Sequence, residues 1–535
     1  MAYRLIGDNN IVNPKEQILK NRDTTIEKLN PTEEVVEDYK NYDNILEGMK
    51  VLMKAIMYHK KIGVIIDEDN DGVASFAILY RYIKEVFNYE LIILPHHKTK
   101  AHGISEDVNI PDDLSLLISP DGGTNNKEEI IDLENNGVKV LILDHHLLSS
   151  TIDKADYGII INNQLSKNVN NKALCGAGVV YKFLYGLSKE YNLPSPEKYL
   201  DLVAIANIAD AMDLSSLETR YYVKEGLKNI NNPFIKAIME VKSFEMNGKC
   251  NPHAFSFNVI PLINATIRSG TFEEKIEMQQ AFISDDYEFC KEVANKLKKI
   301  KQKQDSYVKR NVEKINKKLV INKEDKVLFI NGEGIDGAVV GLIATKISDK
   351  YKLPCVMYNI YDNDICSGSG RGLNGITLKE DLTSSGLMIF AEGHSNAMGI
   401  SFKLENLEAL KQYMNYLYKD VDFGDSKTYD VDFEIPTFFL DQCFVDQLAT
   451  LEDEESKGFD VPLIAITVVE VILTDNNIKG RTNVIFEVNG IKFIKKFASK
   501  VWKEEYLYKP LECTIIGKCV KGYNGIGEIE IVSIE

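Results

Sequence analysis

"LLISPDGGTNN" (residues 116–126) and "VLILDHHLLSS" (140–150) are built alike. In each, an apolar run of strand length stops on an aspartate, Asp121 or Asp144. In the second, two histidines follow at once, His145 and His146. Three more runs share the apolar character, "KIGVII" (61–66), "ELIILP" (90–95) and "YGIIIN" (157–162). Helical stretches such as "SFAILYRYIKEVF" (75–87) and "NKEEIIDLENN" (126–136) lie between them. Continuous Ile/Leu/Val strands alternating with helices predict a parallel sheet covered on both faces. Ligands of such sheets bind beyond the carboxyl ends of the strands, which is where the acids fall.

Two other segments add carboxylates. "DEDNDG" (67–72) follows the first strand and offers Asp67, Asp69 and Asp71, and "LDLVAIANIADAMDL" (200–214) sets Asp201, Asp210 and Asp213 in an apolar stretch. One such aspartate reads as a turn or a helix cap. Four acidic segments around two adjacent histidines read differently, because clustered carboxylates raise one another's pKa unless cations neutralise them. A mixed oxygen and imidazole set suits manganese or magnesium; iron and zinc remain alternatives, without the thiolates they favour. The surplus of aspartates points to two ions, spaced as in paired-metal phosphoryl chemistry (about 3.5–4 Å).

Bulk properties frame this site. A chain of 535 residues exceeds one core and implies two to four domains. It is 44% hydrophobic and 27% charged, ordinary for a globular protein, with no apolar run long enough to span a membrane. The start, "MAYRLIGDNNIVNPKEQ", lacks the basic and apolar regions of a secretory signal. Eight cysteines with no CxxC pair suggest free thiols, a cytoplasmic setting and no structural zinc. A net charge of −17 opposes a polyanionic partner, but "KEVANKLKKIKQKQDSYVKRNVEKINKK" (291–318) is strongly basic. Its apolar positions, Val293, Leu297, Ile300, Val308, Val312 and Ile315, form one helical stripe.

The ordered set "DEDNDGVAS", "SPDGG", "LDHH" and "ANIADAMDL" resembles the four motifs of the DHH phosphoesterase superfamily. The similarity extends to its RecJ-like single-strand-specific nucleases through "CGAGVVYKF", "YLDLVAIANIAD" and "VIPLINATIRSG". "GAVVGLIATKISDKYKLPCVM", "GSGRG" and "EGHSNAMGISF" are similar to the DHH-associated domain. The resemblance covers roughly residues 50–420 and, more loosely, the β-rich tail, where RecJ has an OB-fold. It implies an α/β fold of several parts: an N-terminal arm (1–45), a parallel-sheet DHH domain (46–290) and a connecting basic helix (291–324). A smaller α/β DHH-associated substrate-binding domain (325–425) and an OB-like β domain (426–535) complete it.

The same resemblance distributes roles. Asp69, Asp71, Asp121, His145 and Asp210 are implied as metal ligands and catalytic residues, with Asp67 in the same site and Asp121 bridging. His146 is implied to contact the scissile phosphate, with Asp144 orienting an imidazole or a water. Asn264, Arg268, Ser369, Arg371, Gly393 and His394 fall on the substrate side, where a planar guanidinium suits a phosphate. Departures exist: "PHHKTKAHGIS" (95–105), with His96, His97, Lys98 and His102, replaces the expected arginine and G-Y-G. "EGH" replaces G-G-H and adds Glu392, and Asp213 stands where RecJ tends to have proline. The chain also ends soon after the OB-like region, so the further C-terminal domain of larger RecJ proteins is expected to be absent.

The resemblance thus implies a manganese- or magnesium-dependent, 5′-to-3′ single-stranded-DNA exonuclease of repair and recombination, releasing mononucleotides through a hydroxide activated by two metals. The basic helix would supply the positive field that the whole molecule lacks, and Phe486, Phe493 and Phe497 are candidates for base stacking. Expected partners are single-stranded nucleic acid and a single-strand-binding protein or helicase. Two alternatives are an oligoribonuclease or cyclic-dinucleotide phosphodiesterase, and a non-catalytic replication scaffold of the same fold.

Overall fold

The computed structural model describes residues 3–96, 103–105, 108–149, 152–373, 375–423, 428–480, 482–522 and 524–534. His97, Lys98 and His102 lie outside the described residues. By their contacts the residues form two units: 1–267, 272–296 and 428–535 in the first, 268–271 and 297–427 in the second. Among the described residues no helix is long and apolar enough to cross a membrane, and the eight cysteines are all free thiols.

The first unit contains the sheet expected from the alternating apolar runs. Its five strands are β1 (Ile62–Ile66), β2 (Ile92–Pro95), β3 (Leu116–Pro120), β4 (Lys139–Asp144) and β5 (Ile159–Asn162). They pair in parallel in the order β2-β1-β3-β4-β5. β1, β3 and β5 are buried throughout their length, which is why their sequences are continuously apolar rather than alternating. From β1 the chain passes through α1 (Asn70–Phe87) to β2 on one side, then returns to β3 on the other. The carboxyl ends of β1 and β3 therefore flank the point where the winding reverses, and a crevice opens there. Asp67 and Asp121 are the residues that follow those two strands.

Residues 428–535 share this unit. A seven-stranded sheet runs in the order Phe433–Pro436, Leu463–Ile472, Pro510–Lys521, Gly527–Ile534, Ile491–Lys495, Asn483–Val488, Ile478–Lys479. The chain's first residues reach the same region: Tyr3–Leu5 pairs in parallel with Tyr429–Val431. Of the three aromatics considered for stacking, Phe486 and Phe493 are buried, with ring centroids 5.2 Å apart, inside the core of this sheet. Their positions on paired strands give them to packing rather than to a ligand. Phe497 is exposed.

The second unit has a mixed sheet in the order Met388–His394, Ala397–Lys403, Ile365–Arg371, Cys355–Tyr361, Leu328–Asn331. Only its last pair is parallel. The basic segment is one helix, Tyr287–Lys318, in which Val293, Leu297, Ile300 and Val308 are buried while most lysines face outward.

Candidate metal centre

Each acidic residue of the first unit is positioned by a separate local device. Asp69 caps α1, its Oδ1 accepting the Gly72 N–H at 2.8 Å. Here the cap reading and the ligand reading coexist in one side chain. Asp71, in the first turn of α1, accepts the N–H groups of Gly176 (2.7 Å) and Ala177 (2.8 Å). Those are the first two residues of helix α2 (Gly176–Tyr191), whose own N-cap, Cys175, makes no side-chain cap. One carboxylate thus locks the starts of two helices together, and each unsatisfied helix-start N–H favours its negative charge.

Asp121 sits in a left-handed conformation, φ +64°, uncommon for a residue with a side chain and often found at functional turns. It is 1% exposed, and both of its carboxylate oxygens are buried with no hydrogen-bond partner. Buried polar atoms are rarely left so. Burial first, then the charges of Asp71, Asp69, Asp67 and Asp144, push the Asp121 carboxyl well above its ordinary range. Asp210, ending α3 (Leu200–Ala209), is pushed up to about 7 by burial and by Asp71 and Asp69. Such a set is unstable as bare anions and fits divalent cations.

His145 completes the arrangement. Its Nε2 lies 3.3 Å from Asp121 Oδ1, 3.7 Å from Asp71 Oδ2 and 3.8 Å from Asp210 Oδ2. Burial pushes its pKa down, which favours the neutral imidazole that a metal requires. Three groups have ligand atoms within 4.8 Å of one another: Asp67, Asp69 and Asp121; Asp71, His145 and Asp210; and Asp121, His145 and His146. Nearby Cys175 adds no thiolate, since burial and Asp71 push its thiol well above its usual pKa. The donor set is oxygen and imidazole.

Asp144 faces the other histidine. Its Oδ1 is 2.7 Å from His146 Nδ1 and accepts the N–H groups of His145 (2.6 Å) and His146 (3.1 Å), while Oδ2 accepts the Thr124 N–H at 3.0 Å. Burial opposes its charge, but these bonds prevail and hold it below its ordinary range. The bond from Asp144 in turn raises His146 to about 9, leaving an exposed imidazolium beside the cluster. The three acids of the 200–214 stretch separate: Asp210 joins the cluster, Asp201 caps backbone N–H groups of Leu202, Asn231 and Asn232, and Asp213 accepts from Ser215 in a turn.

Several contributors carry no signal in the sequence. The Gly176, Ala177 and Thr124 N–H groups act through the backbone, which every residue has. Gly176 does leave a trace, because a Cβ there would fall 2.2 Å from Asp121 Oδ1. Gly176→Ala is therefore expected to displace the Asp121 carboxylate and lower manganese affinity by about 10–100-fold, measured by calorimetry, with little change in helix content by circular dichroism.

The residues expected on the substrate side are divided between the two units. Asn264 is half-buried on the helix Ile260–Ser269, whose last turn carries exposed Arg268. In the second unit, strand register aligns Arg371, Ala397 and His394 across three neighbouring strands, with Ser369, Gly399 and Glu392 two residues along. Gly393, at φ +122° within the strand Met388–His394, accepts from Lys379 Nζ through its carbonyl. Arg371 is held by Thr345 Oγ1 (3.1 Å) and the Gly370 carbonyl (2.7 Å). Burial, and then the charge of Arg268, push its pKa down.

With this geometry in view, the comparisons with known proteins fall into place. Residues 61–207 match the DHH family, N-terminal domain. The YorK protein of Bacillus phage SPbeta, named provisionally as a single-strand DNA-specific exonuclease, is 34% identical over 92% of this chain and 90% of its own length. The chain belongs to the DHH family, in the branch of RecJ-like single-strand-DNA-specific exonucleases. RecJ of Thermus thermophilus, a single-stranded-DNA-specific exonuclease, is 27% identical over 66% of this chain and 51% of its own. The crystal structure of that RecJ with Mn2+ has the same fold, with a TM-score of 0.77 and 21% identity over 98% of this chain and 76% of that one.

Proposed function

We propose that the chain is a manganese- or magnesium-dependent exonuclease that hydrolyses single-stranded DNA from the 5′ end and releases mononucleotides. The observation that carries this reading is Asp121: a fully buried carboxylate, both oxygens unpartnered, 3.3 Å from the Nε2 of His145 and amid four more carboxylates. Divalent ions held by Asp67, Asp69 and Asp121 and by Asp71, His145 and Asp210 would supply Lewis-acid polarisation of a phosphodiester and of its attacking water. His146, its Nδ1 bonded to Asp144, presents a protonated Nε2 able to donate to a phosphate oxygen and to neutralise developing charge. Asp144 fixes that ring. Arg371, Ser369, Arg268, Gly393 and His394 in the second unit, and Asn264 in the first, are the residues assigned to the strand's phosphates. The Lys-rich face of the helix Tyr287–Lys318 supplies positive field in a chain of net charge −17.

The layout we propose is the arm 1–45, DHH domain 46–290, connecting helix 291–324, DHH-associated domain 325–425 and OB-like region 426–535, in a cytoplasmic protein working with a single-strand-binding protein or helicase. Digestion of 5′- and 3′-labelled single strands tests the activity. With manganese, the 5′ label is expected in mononucleotides from the first time points, and chelation stops release. Early release of the 3′ label would reverse the polarity. Faster cleavage of dinucleotides than of long strands would favour the short-oligonucleotide reading instead.

A further inference from the structure

Beside the Asp210 turn lies a cleft of about 260 Å³, lined among others by Asn207, Ala211, His253, Phe257, Ser456 and Lys457. That is smaller than a pocket for a whole ligand and sized for one flat group. Phe257 is 68% exposed. It lies on the short helix Pro252–Asn258, which packs on α3, the helix ended by Asp210. Its ring centroid is 4.6 Å from that of His253, which is itself held by Glu455 through Nδ1 at 2.8 Å. The aromatic pair is thus braced, with the phenyl left open.

Opposite, the 454–458 segment carries Lys457. Its carbonyl accepts the Leu214 N–H at 2.9 Å, and Gly458 approaches Asp213 so closely that a Cβ would fall 2.4 Å from Oδ1. Buried Arg220 ties the same segment down, bonding the Leu214 carbonyl (2.7 Å), Glu454 (3.2 Å) and Ser456 (3.4 Å). A larger cavity of about 570 Å³ nearby has Lys224, Lys249 and Lys521 matched to Glu454, Glu452 and Asp453. Lys457 is different: it is exposed, sits on the turn so anchored, and lines the smaller cleft together with Glu455 and Asp460, close enough for its charge to act on Asp210.

We infer that one base of the substrate strand stacks on the exposed face of Phe257, with an adjoining phosphate held by Lys457, in a subsite beside Asp210. This rests on the single-strand reading above and deepens it. An aromatic face accepts any base, so the subsite grips a strand without reading its sequence. A cation on an anchored turn beside it draws the backbone there.

The test uses the full chain in chelator, with 3′-labelled oligothymidylate read by fluorescence anisotropy. A single abasic residue is moved stepwise from the 5′ end. At one position the abasic strand is expected to bind wild type about tenfold more weakly, within the range of base–aromatic stacking. Phe257→Ala should lose the same factor on intact strands and nothing further on that abasic strand, while Phe257→Trp binds like wild type. Lys457→Ala should weaken all strands and lower the slope of log affinity against log salt by about 0.7. With manganese restored, Phe257→Ala should raise KM more than it lowers kcat. Equal binding by wild type and Phe257→Ala, or an equal Phe257→Ala loss on every abasic strand, overturns the subsite. Those results with strand cleavage intact leave the exonuclease reading standing, whereas a wild type that binds no single strand sinks both.

Discussion

Asp121→Asn is expected to cut strand cleavage by about a thousandfold or more while raising the melting temperature of the metal-free protein. The loss follows from removing a carboxylate that joins Asp67 and Asp69 in one ligand group and lies 3.3 Å from His145 of the other, worth about 4 kcal/mol of transition-state stabilisation at tenfold per 1.36 kcal/mol. The gain follows from the same burial. In metal-free protein, Asp121 opposes Asp67, Asp69, Asp71 and Asp144 at close range with no hydrogen bond in return. An amide of the same shape keeps the packing and removes the charge.

The pH dependence of stability reports the same crowding. Asp210 rises from 3.8 to about 7 in the fold. Between those values the folded chain retains a proton that the unfolded chain has lost, so metal-free stability falls as pH rises through this window and levels off above it. Manganese at a hundred times its Kd should add about 2.7 kcal/mol and do so most strongly at the alkaline end. Denaturant titrations at pH 5 and 8, with and without manganese, read both effects. A wild type whose metal-free stability rises over that range would contradict the cluster's electrostatics.

Lys182→Met is the second large effect, and it falls on the scaffold. Lys182 is buried on α2, with its Nζ 2.5 Å from Glu218 Oε1 and donating also to the Glu37 carbonyl. Glu218 accepts the Glu37 N–H (2.9 Å) and Asn171 Nδ2 (2.9 Å) as well. Removing the cation strands a buried carboxylate, which costs about 3–5 kcal/mol. Lys182→Met with Glu218→Gln should recover much of that, because neither charge is then left alone. Below the lowered melting temperature, cleavage should remain near wild type, since α2 still presents the Gly176 and Ala177 N–H groups to Asp71. Thermal melts and initial rates at low temperature separate the two outcomes.

How much of this was legible in the chain depends on how local each feature is. The strand runs before Asp67, Asp121 and Asp144 are contiguous, so their apolar character and terminal acids can be read directly, and β1, β3 and β4 fall where those runs predict. The cluster was readable because four short segments each carry their own carboxylate. Contacts between distant segments were not. The pairing of Tyr3–Leu5 with Tyr429–Val431 joins segments far apart in the chain and leaves no pattern in either partner. Nothing in "GAGVVYKF" says that Lys182 is buried against Glu218. Phe486 and Phe493 look like Phe497 in sequence, yet cross-strand register buries the first two. Phe257, in turn, reads as one more apolar residue of a helix until its exposure is seen.

Anomalous diffraction from crystals soaked in manganese examines the metal assignment most directly. Two peaks are predicted, one touching Asp67, Asp69 and Asp121 and the other Asp71, His145 and Asp210, both lost in Asp121→Asn. A map with no peak among these residues in the wild type would contradict the assignment, and with it the exonuclease.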